Sequence, residues 1–385
     1  MTYLFYLLLL IVPLITYNKS IDSFVIKTLL ISITGFAALG YWITKEWRGI
    51  ASIPLYFFWL LISYIFCKWP LGHPGEEVLL MLSYLGIFLL SRDYLNRESI
   101  VNILMISLAI TVGYNFYINH SLFNQIKNIY HMRIIWHNSS FVNVRIYSGW
   151  LCLLIPLVFA KALKHGLFYW VLFFFSLLAI VCTGGRSSML GLAAALAAFS
   201  AFRWGKMALI PIIWFWVLFS LLGWFYLPHE ILDPSRAHFW SGTLDLMASN
   251  PWTGNGIGSF STVYPLFKEN IMQGADPNHL LVHCHNFSFE MISEIGIIGL
   301  LLFLFMIWKI WKQADKKDPL NLALIAAMFG CLVDNFYNIT FYYSAVGMIF
   351  WLYLGLLASN KKREEKKHEG WMARIGEWSD YCFYN

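Results

Sequence analysis

Residues 279–308 read His279-Leu280-Leu281-Val282-His283-Cys284-His285-Asn286-Phe287-Ser288-Phe289-Glu290-Met291-Ile292-Ser293-Glu294-Ile295-Gly296-Ile297-Ile298-Gly299-Leu300-Leu301-Leu302-Phe303-Leu304-Phe305-Met306-Ile307-Trp308. Three histidines close a polar loop, and an apolar run of bilayer length follows at once. A helix needs about 20 such residues to cross the hydrocarbon of a membrane. Two glutamates sit in the first turns of this one. Imidazole is the side chain best suited to move protons near neutral pH, so its clustering where a membrane helix begins asks for a chemical reason.

Working outward, the rest of the chain has the same character. Of its 385 residues 59% are hydrophobic and 12% charged, about half the charge of a soluble domain. The apolar runs are long and do not alternate as barrel strands do, so helices cross the bilayer. The expected spans are 2–16, 23–43, 50–66, 76–91, 100–118, 145–162, 167–182, 187–202, 207–226, 286–308, 320–337 and 341–358. The fold class is therefore an all-α polytopic membrane protein of about 12 transmembrane helices. It divides into helices 1–9 over 1–226, an outer loop over 227–285 containing short helices, helices 10–12 over 286–358, and a basic cytoplasmic tail over 359–385. No Gly/Pro-interrupted pair of helices of the transporter kind is evident. The apolar N-terminus lacks a basic flank and a cleavage site, so it reads as a retained helix.

Charge orients the spans. Every second loop is short and basic: Lys45 and Arg48, Arg92 and Arg97, Lys161 and Lys164, Arg203 and Lys206, then Lys309 to Lys317 and the tail from Lys361 to Lys367. Such loops stay in the cytoplasm, which puts both termini there. The same rule accounts for the net charge of +6 without nucleic acid. The six cysteines are scattered, with no C-x-x-C pair, and several lie inside apolar runs where cysteine serves as a small hydrophobe.

The remaining loops face outward and hold the unusual residues. Arg133, Arg145, Arg186, Arg236 and His285 all fall on that side. Arg186 follows Thr183-Gly184-Gly185 and opens a helix, where backbone amides favour an anion. Asp233-Pro234 reads as a helix start, with Phe239, Trp240, Leu244 and Met247 forming an amphipathic face suited to the bilayer surface. Arg236 lies in its first turn, where a cation opposes the helix dipole. An anion nearby explains it better. Either a lipid headgroup or a substrate phosphate would serve, since guanidinium grips phosphate oxygens with paired hydrogen bonds.

His279 and His283 have i, i+4 spacing, with His285 and Asp276 near, which is compatible with a metal. Leu280 stands where a zincin would carry glutamate, and that motif fails. His285 is either an interfacial histidine satisfied by a carbonyl or a general base, with Glu290 and Glu294 placed to orient it or to favour the helix start. Gly254-Asn255-Gly256-Ile257-Gly258 precedes no βαβ unit and reads as a compact turn rather than a nucleotide site.

The stretch from His285-Asn286 through Glu294, Gly296, Gly299 and Leu300 resembles the signature of the O-antigen ligase and polymerase family. So does the order of Thr183-Gly184-Gly185-Arg186, Arg236 with Trp240, and Asn250-Pro251-Trp252-Thr253-Gly254-Asn255-Gly256. The likeness covers roughly 130–310. It implies a bacterial inner-membrane glycosyltransferase using an undecaprenyl-pyrophosphate-linked glycan donor on the periplasmic side, with no metal or other cofactor. Arg186 and Arg236 would hold the pyrophosphate, and His285 would deprotonate or align the acceptor hydroxyl. Arg133, Arg145, Asn286 and Glu294 would add substrate contacts. The acceptor would be lipid A–core for a ligase, another lipid-linked glycan for a polymerase, or a protein hydroxyl for an oligosaccharyltransferase. Attachment of O-antigen to lipid A–core is favoured. From other classes, a lipid-linked glycan transporter would need ionisable groups at mid-membrane depth, and an envelope scaffold would use the basic tail with Trp371 and Trp378.

Overall fold

The computed structural model describes residues 1–15, 23–46, 53–67, 74–120, 139–141, 143–205, 234–267 and 283–359. Within them the chain is helical throughout. Thirteen α-helices follow in order: α1 (Thr2–Ile11), α2 (Ser23–Glu46), α3 (Leu55–Ile65), α4 (Pro74–Asp93), α5 (Arg97–Ile118), α6 (Val144–His165), α7 (Leu167–Cys182), α8 (Arg186–Trp204), α9 (Pro234–Ser249), α10 (Phe260–Val263), α11 (Phe287–Gln313), α12 (Pro319–Asp334) and α13 (Ser344–Ala358). Four contain segments long and apolar enough to cross a membrane: Val25–Lys45, Arg97–Ile118, Val144–His165 and Phe287–Gln313. Every expected span overlaps a helix except 207–226, which lies outside the described residues.

Burial sorts the helices into layers. The apolar window of α6 is 89% buried, against 33–50% for the other three long helices, so α6 is the axis of the bundle. Its companion in the interior is α13, buried from Ser344 to Leu357. Their neighbours approach through small residues, as membrane helices do when lipid supplies no hydrophobic drive between them. A Cβ on Gly191 of α8 would strike Gly330 O of α12, and one on Gly330 would strike Gly191 O. The outer faces stay apolar. Phe168, Phe174, Phe175 and Leu178 of α7, with Leu301, Leu304, Phe305 and Trp308 of α11, are all exposed. Faces like these suit hydrocarbon and not water.

The two ends of the bundle differ in their chemistry. One collects ion pairs at helix ends: Arg92 with Asp93, which also accepts from Trp42, Arg97 with Asp318 at 2.6 Å, and Lys161 with Glu98 at 3.2 Å. The other collects hydroxyls, amides and buried carboxylates, and it is where α6 and α8 begin, α12 ends and α11 begins.

One helix departs from expectation. α11 is broken at Gly296, whose φ of +73° is left-handed, a conformation that costs other residues a Cβ clash. The turn 250–258 enters the break. Ile297 N donates to Pro251 O at 2.8 Å, Ile298 N to Trp252 O at 3.3 Å, Asn255 N to Ser293 O and Gly256 N to Glu294 O. The backbone groups freed by the break are thus satisfied, as membrane depth requires. Gly254, Gly256 and Gly258 all have positive φ, which makes the Gly-rich turn compact enough to reach α11.

Candidate functional site

Arg186 is the first residue of α8, and the turn before it is built from its own side chains. Thr183 Oγ1 accepts from Gly185 N at 3.2 Å, and Gly184 has φ +64°. A Cβ on Gly185 would collide with Ser148 Oγ, so glycine there lets α6 close onto the turn. Ser148 lies one turn beyond Arg145. Its hydroxyl is 2.7 Å from Arg145 O and 2.8 Å from Ser188 Oγ, sharing one proton between them. Both Arg145 and Arg186 keep exposed side chains. Asn143 caps α6 by accepting from Arg145 N at 2.8 Å.

From Ser188 the polar contacts continue inward to Asp334, the last residue of α12, fully buried. Ser188 Oγ donates to Asp334 Oδ1 at 3.0 Å and Thr340 Oγ1 donates to Oδ2 at 2.7 Å. Asn335 Nδ2 donates to Thr340 Oγ1 at 3.0 Å, and Asn335 O accepts from Phe287 N at 2.9 Å. A continuous run of hydrogen bonds therefore joins the start of α6 to the start of α11. Six residues carry it, and the Ser188–Asp334 bond alone closes a separation of 146 positions. In the sequence Asp334 is an acid at the end of an apolar run, and Asn335, Asn338 and Thr340 beside it are the signal that it has partners.

At the start of α11, His285 is the only described non-glycine residue with positive φ, +57°. Its ring stacks on Phe239, with centroids 6.4 Å apart, and Trp240 Nε1 donates to Cys284 O at 3.1 Å. Both aromatics belong to α9, so the helix carrying Arg236 in its first turn is pinned beside His285. The Arg236 side chain itself lies outside the described residues, as do Arg133, His279 and Asp276. A helix stands where one was expected, but without the expected apolar face of Phe239, Trp240, Leu244 and Met247. Its buried face, Gly242, Thr243 and Leu246, packs against Phe260 and Tyr264, while Leu244 remains exposed.

Asn286 is the N-cap of α11: Oδ1 accepts from Ser288 N at 3.0 Å and Phe289 N at 3.1 Å. Glu294 is buried and accepts from Phe260 N at 3.2 Å, which ties α10 to α11. Glu290 orients a histidine, but a different one from the expected His285. Its Oε1 accepts from His283 Nδ1 at 2.5 Å and its Oε2 from Cys284 N at 2.9 Å. Burial works against charge on His283, yet the Glu290 carboxylate beside it raises the imidazole pKa above its ordinary value. Burial, with Glu290 near, pushes the Cys284 thiol well up, so it is not a thiolate nucleophile.

Among the described residues no group of three or more His, Cys, Asp or Glu is disposed to hold a metal ion. The chemistry the end offers is cationic and protic: two exposed arginines at helix starts, α9 beside His285, and a carboxylate-backed imidazole. No curated protein matches the chain. Residues 171–304, from α7 through the Arg186 turn and α9 into the second half of α11, match the family model Wzy_C, described as O-antigen ligase.

Proposed function

We propose that the protein transfers a glycan from undecaprenyl pyrophosphate to a hydroxyl acceptor at the periplasmic face of the bacterial inner membrane, most specifically as an O-antigen ligase acting on lipid A–core. The O-antigen ligase family implies a glycosyltransferase-type enzyme working on lipid-linked glycans. The observation that carries the reading is the hydrogen-bonded union of the α6, α8 and α11 starts, which gathers Arg145, Arg186 and His285 at one end of the bundle.

The chemistry follows from the bond that breaks. A sugar leaving pyrophosphate takes no electrons from a cofactor; it needs cations where negative charge develops. Arg186 and Arg236 supply them, with Arg133 and Arg145 as outer contacts. His285 stands against the acceptor hydroxyl, and α9 over the site shields it from water. On this reading the basic loops at the opposite end face the cytoplasm.

A transporter of lipid-linked glycan is the second reading, because a broken helix like α11 is a transporter device. Against it, the amides at this break are already bonded to Pro251 and Trp252 and offer nothing to a ligand. Purified protein in vesicles, given undecaprenyl-pyrophosphate glycan and lipid A–core with a metal chelator present, is expected to form glycan joined to lipid A–core and to release undecaprenyl pyrophosphate. Glycan crossing the bilayer with none joined to any acceptor would refute the transferase reading. Product on a second lipid-linked glycan, but none on lipid A–core, would make the enzyme a polymerase.

A further inference from the structure

Resting on that reading, we infer that Glu290 and His283 form the pair that takes the proton from the acceptor hydroxyl during transfer, with His283 Nε2 as the receiving atom. The carboxylate is 1% exposed and the imidazole 23%, so among the described residues the ring of His283 is the pair's exposed part. An ionised carboxylate can only accept. Its bond to Nδ1 therefore fixes the proton there and leaves the Nε2 lone pair as the working site, the arrangement that orients a general base and stabilises the imidazolium it becomes.

The surroundings hold that geometry. Glu290 is fixed by Cys284 N as well as by His283, and Tyr342 lies against the imidazole with centroids 5.2 Å apart. The charged or titratable groups facing His283 are Glu290 on α11, Glu77 on α4, and the neighbouring Tyr342 and Cys284. His285 is placed differently: its ring lies on Phe239 of α9. It aligns the acceptor, while His283 handles the proton.

The step balances without a further reactant. The acceptor oxygen forms a bond to the anomeric carbon, the bond from that carbon to the pyrophosphate oxygen breaks, and its electron pair leaves with the lipid pyrophosphate. The acceptor proton passes to His283 Nε2 and is returned to solvent or to the departing phosphate.

Glu290→Gln separates this role from a structural one. The amide oxygen must face Cys284 N, so the amide N–H faces His283 Nδ1. That turns Nδ1 into an acceptor and moves the ring proton to Nε2, leaving no base, while every hydrogen bond is kept. In vesicles of the full-length protein, kcat is expected to fall on the order of 10²–10⁴-fold, the range spanned by loss of a general base or of its tautomer. KM for the undecaprenyl-pyrophosphate donor and the thermal midpoint stay near wild type. His283→Ala is expected to fall equally and to regain part of its rate with added imidazole.

The pH profile carries the sign. Glu290 raises the His283 pKa, and the base works when neutral, so wild-type kcat climbs as pH rises through that raised value. Residual activity of Glu290→Gln should have its acidic limb at lower pH. A Glu290→Gln protein with wild-type kcat and an unmoved limb would overturn the pair while leaving the transferase reading intact. Wild-type protein that joins no glycan would overturn both.

Discussion

Arg186→Ala is expected to lower glycan transfer by about 10²–10³-fold, the loss seen when one preorganised charge donor is withdrawn from a site where negative charge develops. The effect belongs to chemistry and not to folding. Arg186 is the first residue of α8 with an exposed side chain, the turn before it is held by Thr183 and Gly185, and Ser188 makes the inward contacts. The thermal midpoint should therefore stay close to wild type. Arg186→Lys keeps the charge but loses the planar fork that pairs with phosphate oxygens, so its rate should fall between the two. Arg236→Ala, in the first turn of α9, should match Arg186→Ala. A full transfer rate in Arg186→Ala would remove this arginine from the pyrophosphate site.

The second large effect is on folding. Gly296→Ala puts a Cβ against Trp252 O and Thr253 N, at a residue whose φ of +73° already disfavours it. Alanine at positive φ costs upwards of about 1 kcal/mol from the backbone alone, and the collision is with main chain, which cannot swing aside. Relief requires the 250–258 turn to withdraw, stranding the amides of Ile297 and Ile298. Folded protein recovered from membranes should fall severalfold, with a lower thermal midpoint. Gly254→Ala, facing the Glu294 backbone, should behave alike. Gly40→Ala and Gly113→Ala meet nothing within 4 Å and serve as controls; equal losses there would show that the break is not special.

Much of this architecture is legible in the sequence, because apolar run length and loop charge are summed over many residues and survive local exceptions. The starts of α8 and α9 could be read from Gly185 and Pro234, since the signals that begin a helix are local chemistry. What could not be read depends on contacts between distant segments. Nothing in the spacing says that Glu290 serves His283 rather than His285, because the backbone turns left-handed at His285 and redirects its neighbours. The break at Gly296 was hidden for a similar reason: a single glycine inside an apolar run is common, and only the Gly-rich turn some forty positions earlier makes it a docking point. Asp334 looked like an isolated acid until Ser188 and Thr340 were brought to it.

The broken helix has a consequence for how stability is distributed. α9, α10 and the residue after it keep a small core with Cys284 (Leu246, Phe260, Val263 and Tyr264), apart from the large one around α6 and α13, which Ile257 of the turn joins. Five side chains hold little free energy against local opening, so this cap depends on its seam with α11. Its amides from 243 to 263 should exchange with deuterated solvent well before those of α6, and equal protection would mean the cap and the bundle open as one. The molecule thus concentrates its softness over His283 and His285, the place proposed for the acceptor, and keeps its rigidity in the stem that holds α6 and α8 in register.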